Sequence, residues 1–268
     1  MLRTRQLPLV LALLALPAAV QAERRNPLEG QPAIRHKFEM RKLRFELTPQ
    51  FLVSLNQDFR TFIGGGALLQ FHFADWIGIG IQGGGGGGLD TALTGKIADA
   101  LPATSMDGQS APSKQQFKDH LSTIQAVFSV HLTLTPFAGK LMMFGALQLR
   151  YDFYGLIGFG GLLSGNSYDS TRSDSNDPMC RNSDPNKCEP GNKGFAAGLA
   201  LGLGTHLFFN YFVGLNLEVR DYVVNSNWGG LDVNGDRKID GSDQTFANNL
   251  FFSFGVTIML PPKAKVSN

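Results

Sequence analysis

Six residues in the twelve-residue stretch Asp232–Asp243 carry oxygen at a spacing that suits a hard cation. Asp232, Asn234, Asp236, Asp240 and Asp243 stand at positions 1, 3, 5, 9 and 12, and Lys238 at position 7 offers its carbonyl. Calcium takes six or more oxygens, and alternate residues of a tight loop can point inward together to supply them. The spacing therefore predicts a calcium site that stiffens a surface loop. Arg237 stands at position 6, where glycine normally makes the sharp turn, and Gly235 precedes it by two residues.

The pattern resembles an EF-hand-type loop, and most of all its dockerin variant, which also tends to carry Asp at position 12. Two further groups could do chemistry. Cys180 and Cys188, the only cysteines, lie among Asn, Asp and Pro. With no nearby His and no Cys-x-x-Cys spacing, they are expected to close one small disulfide ring after export. His120-Leu121-Ser122 has the two-apart His and Ser of the lipid A deacylase family, facing outward by strand parity. A carboxylate should orient such a His. None follows until Asp152, which parity turns the other way, so no enzyme is expected.

A third constellation is internal. Arg44, Glu46, Arg150, Asp152, Glu218 and Arg220 share the polar phase of an alternating pattern, three of each sign. Isolated charges in a confined interior are expensive, so these six are expected to pair across strands as a plug rather than line an ion path. His72, His131 and His206 fall on the same phase near the tight turns, where rim hydrogen bonds are expected of them.

The elements that must position these residues are strands. Between Lys37 and Leu260 large apolar residues alternate with small or polar ones, as in Val213, Leu215, Leu217 and Val219 against Gly214, Asn216, Glu218 and Arg220. A period of two is a strand with one oily and one wet face. Eight such stretches are read, at roughly 38–56, 60–74, 76–86, 120–135, 141–160, 194–208, 211–224 and 247–260. Tight links at 74–76, 136–140 and 208–211 alternate with long polar ones at 87–119, 161–193 and 225–246, and a short link at 56–59 joins the first two strands.

Which face looks outward follows from the polar set: Thr48 and Gln50; Gly64, Gly66 and Gln70; Gly78, Gly80 and Gln82; Thr123, Gln125 and Ser129; Gly198, Gly202 and Gly204. These are too small and too rarely charged for a solvated exterior, but they suit the narrow lumen of eight strands. The opposite set, including Leu43, Phe45, Leu47, Ile77, Ile79, Ile81, Phe128, Val130, Leu132, Phe252, Phe254 and Val256, suits hydrocarbon. Phe71, Phe73, Trp76, Phe137, Phe209 and Tyr211 near the tight turns would form an interfacial girdle. Charged residues make up 17% of the chain, below the quarter or so of a soluble domain, which argues against a soluble barrel. The fold expected is all-β: an eight-stranded antiparallel transmembrane up-and-down barrel with three long extracellular loops.

Met1 to Arg5 is basic, Leu7 to Val20 is apolar, and Val20-Gln21-Ala22 ends in a small residue, so residues 1–22 read as a secretory signal. Its removal takes two arginines and leaves the mature chain formally neutral, with no basic patch for nucleic acid. No later stretch is long and apolar enough for a spanning helix. The organisation expected is a periplasmic segment at 23–36, an outer-membrane barrel at 37–261 and a periplasmic tail at 262–268.

The mature chain resembles a family of small outer-membrane β-barrel proteins typical of myxobacteria. The likeness rests on Asn26-Pro27-Leu28-Glu29-Gly30-Gln31-Pro32-Ala33, Asp75-Trp76-Ile77-Gly78, Gly139-Lys140 and Leu260-Pro261-Pro262-Lys263. It implies membrane lipid and periplasmic or surface envelope proteins as partners, and, for some members, work in gliding motility. Two function classes follow: a plugged structural or interaction protein of the envelope, and, as the alternative, a narrow pore for small solutes.

Overall fold

A computed structural model describes residues 38–39, 41–102, 113–143, 147–165, 194–227, 241–262 and 265–266. Residues 39–265 make one compact unit; residues 1–38 with 266–268 make another, almost all of it outside the described residues. Residues 1–22, expected as a signal, the two cysteines, and residues 232–240 of the expected calcium loop are likewise outside them. A small two-stranded sheet joins Phe38–Glu39 to Lys265–Val266.

Eight antiparallel strands close into one barrel: β1 (Arg44–Ser54), β2 (Arg60–Ala74), β3 (Ile77–Asp90), β4 (Thr123–Met143), β5 (Leu147–Gly165), β6 (Gly194–Phe208), β7 (Val213–Ser226) and β8 (Thr245–Leu260). Each strand pairs with the next, and β8 returns to β1 through Phe45↔Leu260 to Ser54↔Phe251. Closure leaves no sheet edge along the wall. Among the described residues no helix is long and apolar enough to cross a membrane.

Alternation sets the two faces. In β1, Arg44, Glu46, Thr48, Gln50, Leu52 and Ser54 are buried, while Phe45, Leu47 and Phe51 are exposed. Ile79, Ile81, Phe128, Val130, Leu132, Phe254 and Val256 are exposed in the same way on other strands. Aromatics gather at the tight-turn end, where Trp76 is 59% and Phe137 68% exposed, with Phe73, Phe209, Tyr211 and Phe212.

The structure departs from the sequence reading in several places. The first strand starts at Arg44 rather than near 38, because residues 41–43 turn. Asp75 Oδ1 accepts from Arg41 N at 2.9 Å and Lys42 N at 3.2 Å, and Leu43 takes a positive φ of 55°. The expected tight turn at 136–140 is instead strand, and β4 and β5 run on to residues 143 and 147. β3 begins at Ile77, opposite Leu134, so beyond that point β4 pairs only with β5. An edge tolerates a proline that a central strand would not, and Pro136 falls at a register shift between Leu134 and Phe137.

A second shift, between Ile124 and Ala126, reverses the inner face at the start of β4. Ile124 and Val127 point in, and Gln125, expected inside, is exposed. Finally, the connection read as plain polar loop holds two helices, α1 (Ala92–Ala100) and α2 (Lys114–His120). Thr91 caps α1 by accepting from Thr94 N at 3.3 Å.

Candidate functional site: the barrel interior

The interior has two layers. At the tight-turn end lies a polar, charged layer. At the long-loop end Leu52, Phe62, Ile124, Val127, Leu162, Tyr222, Val224 and Phe251 form a buried apolar cluster, which the sequence reading missed. Phe62 and Tyr222 each meet Phe251 edge-on, at 5.6 and 5.5 Å between ring centres. Tyr222 fits because Gly160 faces it: a Cβ there would sit 2.8 Å from the ring.

The charged layer centres on Glu46, fully buried on β1. Its Oε2 lies 2.8 Å from His72 Nε2, and its Oε1 lies 3.0 Å from His206 Nε2 and accepts from Thr48 Oγ1 at 3.1 Å. His206 Nδ1 lies 2.9 Å from Asp152 Oδ1, and the Arg41 guanidinium pairs with the other oxygen of Asp152. Arg41 also donates to Thr135 Oγ1 at 2.7 Å. A chain of polar contacts thus crosses the lumen from Arg41 through Asp152, His206 and Glu46 to His72.

A second group lies beside it. Arg220 donates from Nε to Glu218 Oε1 at 2.8 Å and from Nη1 to Ser129 Oγ, while Tyr154 Oη is 2.8 Å from Glu218 Oε2 and 2.9 Å from Asn216 Oδ1. The Tyr154 ring stacks on His206 at 4.7 Å, and Asn216 Nδ2 is 3.3 Å from His206 Nε2. The two groups are therefore joined. Thr48 to Thr257 (2.9 Å) and Thr133 to Gln70 (3.1 Å) fill space around them.

The six predicted interior charges are arranged differently from expectation. Glu218 and Arg220 pair along one strand, two residues apart, rather than across strands. Arg44, almost fully buried, donates to the carbonyls of Pro261 (2.9 Å) and Met259 (3.2 Å). Arg150 is half-buried, its guanidinium 4.7 Å above the Tyr211 ring. It stands opposite Phe208, the last residue of β6, and so sits at the rim. Arg41 takes its place in the interior. Simple parity turns residue 41 outward with Leu43, but the turn at 41–43 redirects it.

His72 and His206 also differ from their expected rim role, since both are buried and converge on Glu46. Strand register sets Asp152 opposite His206 and Arg44 opposite His72, pairings that alternation along a single strand does not reveal. Among the described residues no group of three or more His, Cys, Asp or Glu could hold a metal. Asp243, the one expected calcium ligand among the described residues, is buried in a 3₁₀ turn at Gly241–Asp243. Cys180 and Cys188 lie outside the described residues. His120 and Ser122 do not face outward from a strand: His120 ends α2, and Ser122 is buried before β4, with Oγ 3.4 Å from Asn227 O.

An apolar outer belt, an aromatic end and an interior with a charged and an apolar layer define a transmembrane β-barrel of the eight-stranded class. No protein-family model matches this chain, and no curated protein matches it in sequence. Solved structures with a similar chain path include the outer membrane protein OprG from Pseudomonas aeruginosa, 13% identical, covering 82% of this chain and 97% of that one, TM-score 0.45. The N-terminal β-barrel domain of Pseudomonas aeruginosa OprF is 8% identical over 82% and 98%, TM-score 0.41. Ail, the attachment invasion locus protein of Yersinia pestis, is 9% identical over 81% and 97%, TM-score 0.37.

Proposed function

We propose that this chain is an outer-membrane β-barrel whose lumen is closed, and that it serves as a structural or interaction component of the cell envelope. The observation that carries this reading is the interior itself. Buried ion pairs and hydrogen bonds fill one half, and interlocked aromatic and aliphatic side chains fill the other. A pore needs a continuous wet path, and eight strands enclose only enough room for side chains. Apolar side chains exposed around the wall belong in lipid, and the filled core belongs to a scaffold.

With both termini at the tight-turn end in the periplasm, the three long connections face outward. The segment before the barrel and the loops outside it then offer surfaces to envelope partners, including, in this proposal, machinery of the gliding-motility kind. The oxygen-rich loop ending at Asp243 is proposed to bind calcium and stiffen that outer surface. Purified protein in planar bilayers tests the central reading. It is expected to give no stable conductance steps; steady, porin-like steps would overturn the closed lumen and return the narrow pore.

A further inference from the structure

Residues 55–59, the short link between β1 and β2, border a cavity of about 330 Å³ at the long-loop end. Asn56, Gln57, Asp58 and Phe59 line it from the link, and Asn248 and Asn249 from the start of β8. Its volume is at the small end for ligand pockets. Both walls are held. Asn56 bridges to β8, accepting from Leu250 N and donating to Asn248 O, each at 2.7 Å. Gln57 Nε2 donates to Asn249 Oδ1 at 2.8 Å. From the other side Thr91 Oγ1 donates to Asp58 O at 2.6 Å and Thr94 Oγ1 to Phe59 O at 2.5 Å.

Those contacts hold the backbone and leave chemistry over. Asp58 and Asn248 are exposed, and among the described residues their side-chain polar atoms have no partner. The lining mixes four carboxamides, one carboxylate, the Ser122 hydroxyl, the Ala247 methyl and one aromatic ring, with no Lys or Arg. Carboxamides both donate and accept, and an ionised carboxylate only accepts. An apolar ligand that displaced water would leave Asp58 and Asn248 unsatisfied, and an anion would meet Asp58 with no cation in the lining to offset it. A ligand rich in neutral hydroxyls satisfies both: hydroxyls donate hydrogen bonds to Asp58, exchange bonds with the Asn248 amide, and leave a C–H face for Phe59.

We infer that this cavity is a binding site for a neutral sugar. The sugar has two possible sources, a soluble oligosaccharide or the sugar chain of surface lipopolysaccharide. Access to either rests on the outward orientation proposed above, whereas the chemistry of the cavity does not.

The test uses the full chain in lauryldimethylamine oxide micelles, since alkyl-glycoside detergents would supply the ligand. Saturation-transfer NMR is run with glucose, galactose, N-acetylglucosamine, maltose, glucose 6-phosphate and delipidated lipopolysaccharide oligosaccharide. At least one neutral sugar is expected to bind, more tightly than glucose 6-phosphate, and about tenfold more weakly in the double variant Asp58→Ala/Asn248→Ala. Preference for maltose supports the soluble source, and preference for the delipidated oligosaccharide the surface one. No transfer to any neutral sugar, equal binding by the variant, or preference for the phosphorylated sugar overturns the inference. Surface labelling of the Asp58→Cys variant in whole cells reports orientation separately, so the failure of one idea is not mistaken for failure of the other.

Discussion

Glu46 carries the interior charge balance at the scale of single residues, because two imidazoles and one hydroxyl share its two oxygens. Removing one member of a buried charged group leaves the others desolvated without a partner. Glu46→Ala is therefore expected to cost about 3–5 kcal/mol. Arg150→Ala, at the half-buried rim position over Tyr211, is expected to cost less, about 1 kcal/mol. Thermal unfolding in micelles, followed by the shift of the folded band on a gel, checks the order. Equal losses would mean that the Glu46 network does not stabilise the barrel.

Glycine gives a second contrast at this scale. A Cβ at Gly160 would lie 2.6 Å from Phe128 O and 2.8 Å from the Tyr222 ring, whereas one at Gly87 would meet nothing within 4 Å. Gly160→Ala is expected to destabilise by about 1–3 kcal/mol through overpacking. Gly87→Ala should stay within about 0.5 kcal/mol of the parent protein. The same unfolding assay reads both, and a destabilised Gly87→Ala would contradict the open space described there.

Strands were legible wherever alternation ran unbroken, as in β1, β2 and β7. It misled at Pro136, where Pro and Gly in close succession read as a turn. The proline is accommodated because β3 has already ended and β4 has a free side there. It also misled at Gln125, since one irregular residue reverses every later inner and outer position until the phase is reset. The helices α1 and α2 carried too little apolar periodicity to announce themselves. Arg60 holds α2 in place: Nη2 donates to Lys118 O at 2.8 Å, Nη1 to Leu121 O at 3.0 Å and to Thr123 Oγ1 at 2.8 Å, and Nε pairs with Asp90 at 3.1 Å. Arg60→Ala is expected to speed protease cleavage between residues 91 and 122 several-fold while the barrel's unfolding midpoint moves little, because local opening is separable from global unfolding. An unchanged cleavage rate would show that the clamp does not restrain the loop.

At the scale of the whole molecule, the outer face decides where the protein can exist. Phe45, Ile81, Phe128, Ile157, Leu203 and Phe254 are all exposed on the barrel wall. A surface this apolar demands lipid or detergent. Diluted below the detergent's micelle threshold, the refolded chain is expected to precipitate; a soluble, compact monomer seen by sedimentation would refute the membrane placement. The chain's two-layered interior also belongs to this scale. The aromatic residues Phe62, Tyr222 and Phe251 come from β2, β7 and β8 and meet only when the sheet closes.

From the sequence by itself came the strand number, the two faces and the acidic partners Glu46, Asp152 and Glu218, because a period-two pattern assigns a face to each position without knowledge of its neighbours. Pairing partners were decided only in three dimensions. Arg41 enters the lumen through a local turn, His72 and His206 reach Glu46 from strands far apart in sequence, and the cavity beside Asp58 is walled by segments some 190 residues apart. Alternation records which way a side chain points along its own strand; it carries no information on what another strand places opposite it, which depends on register and closure.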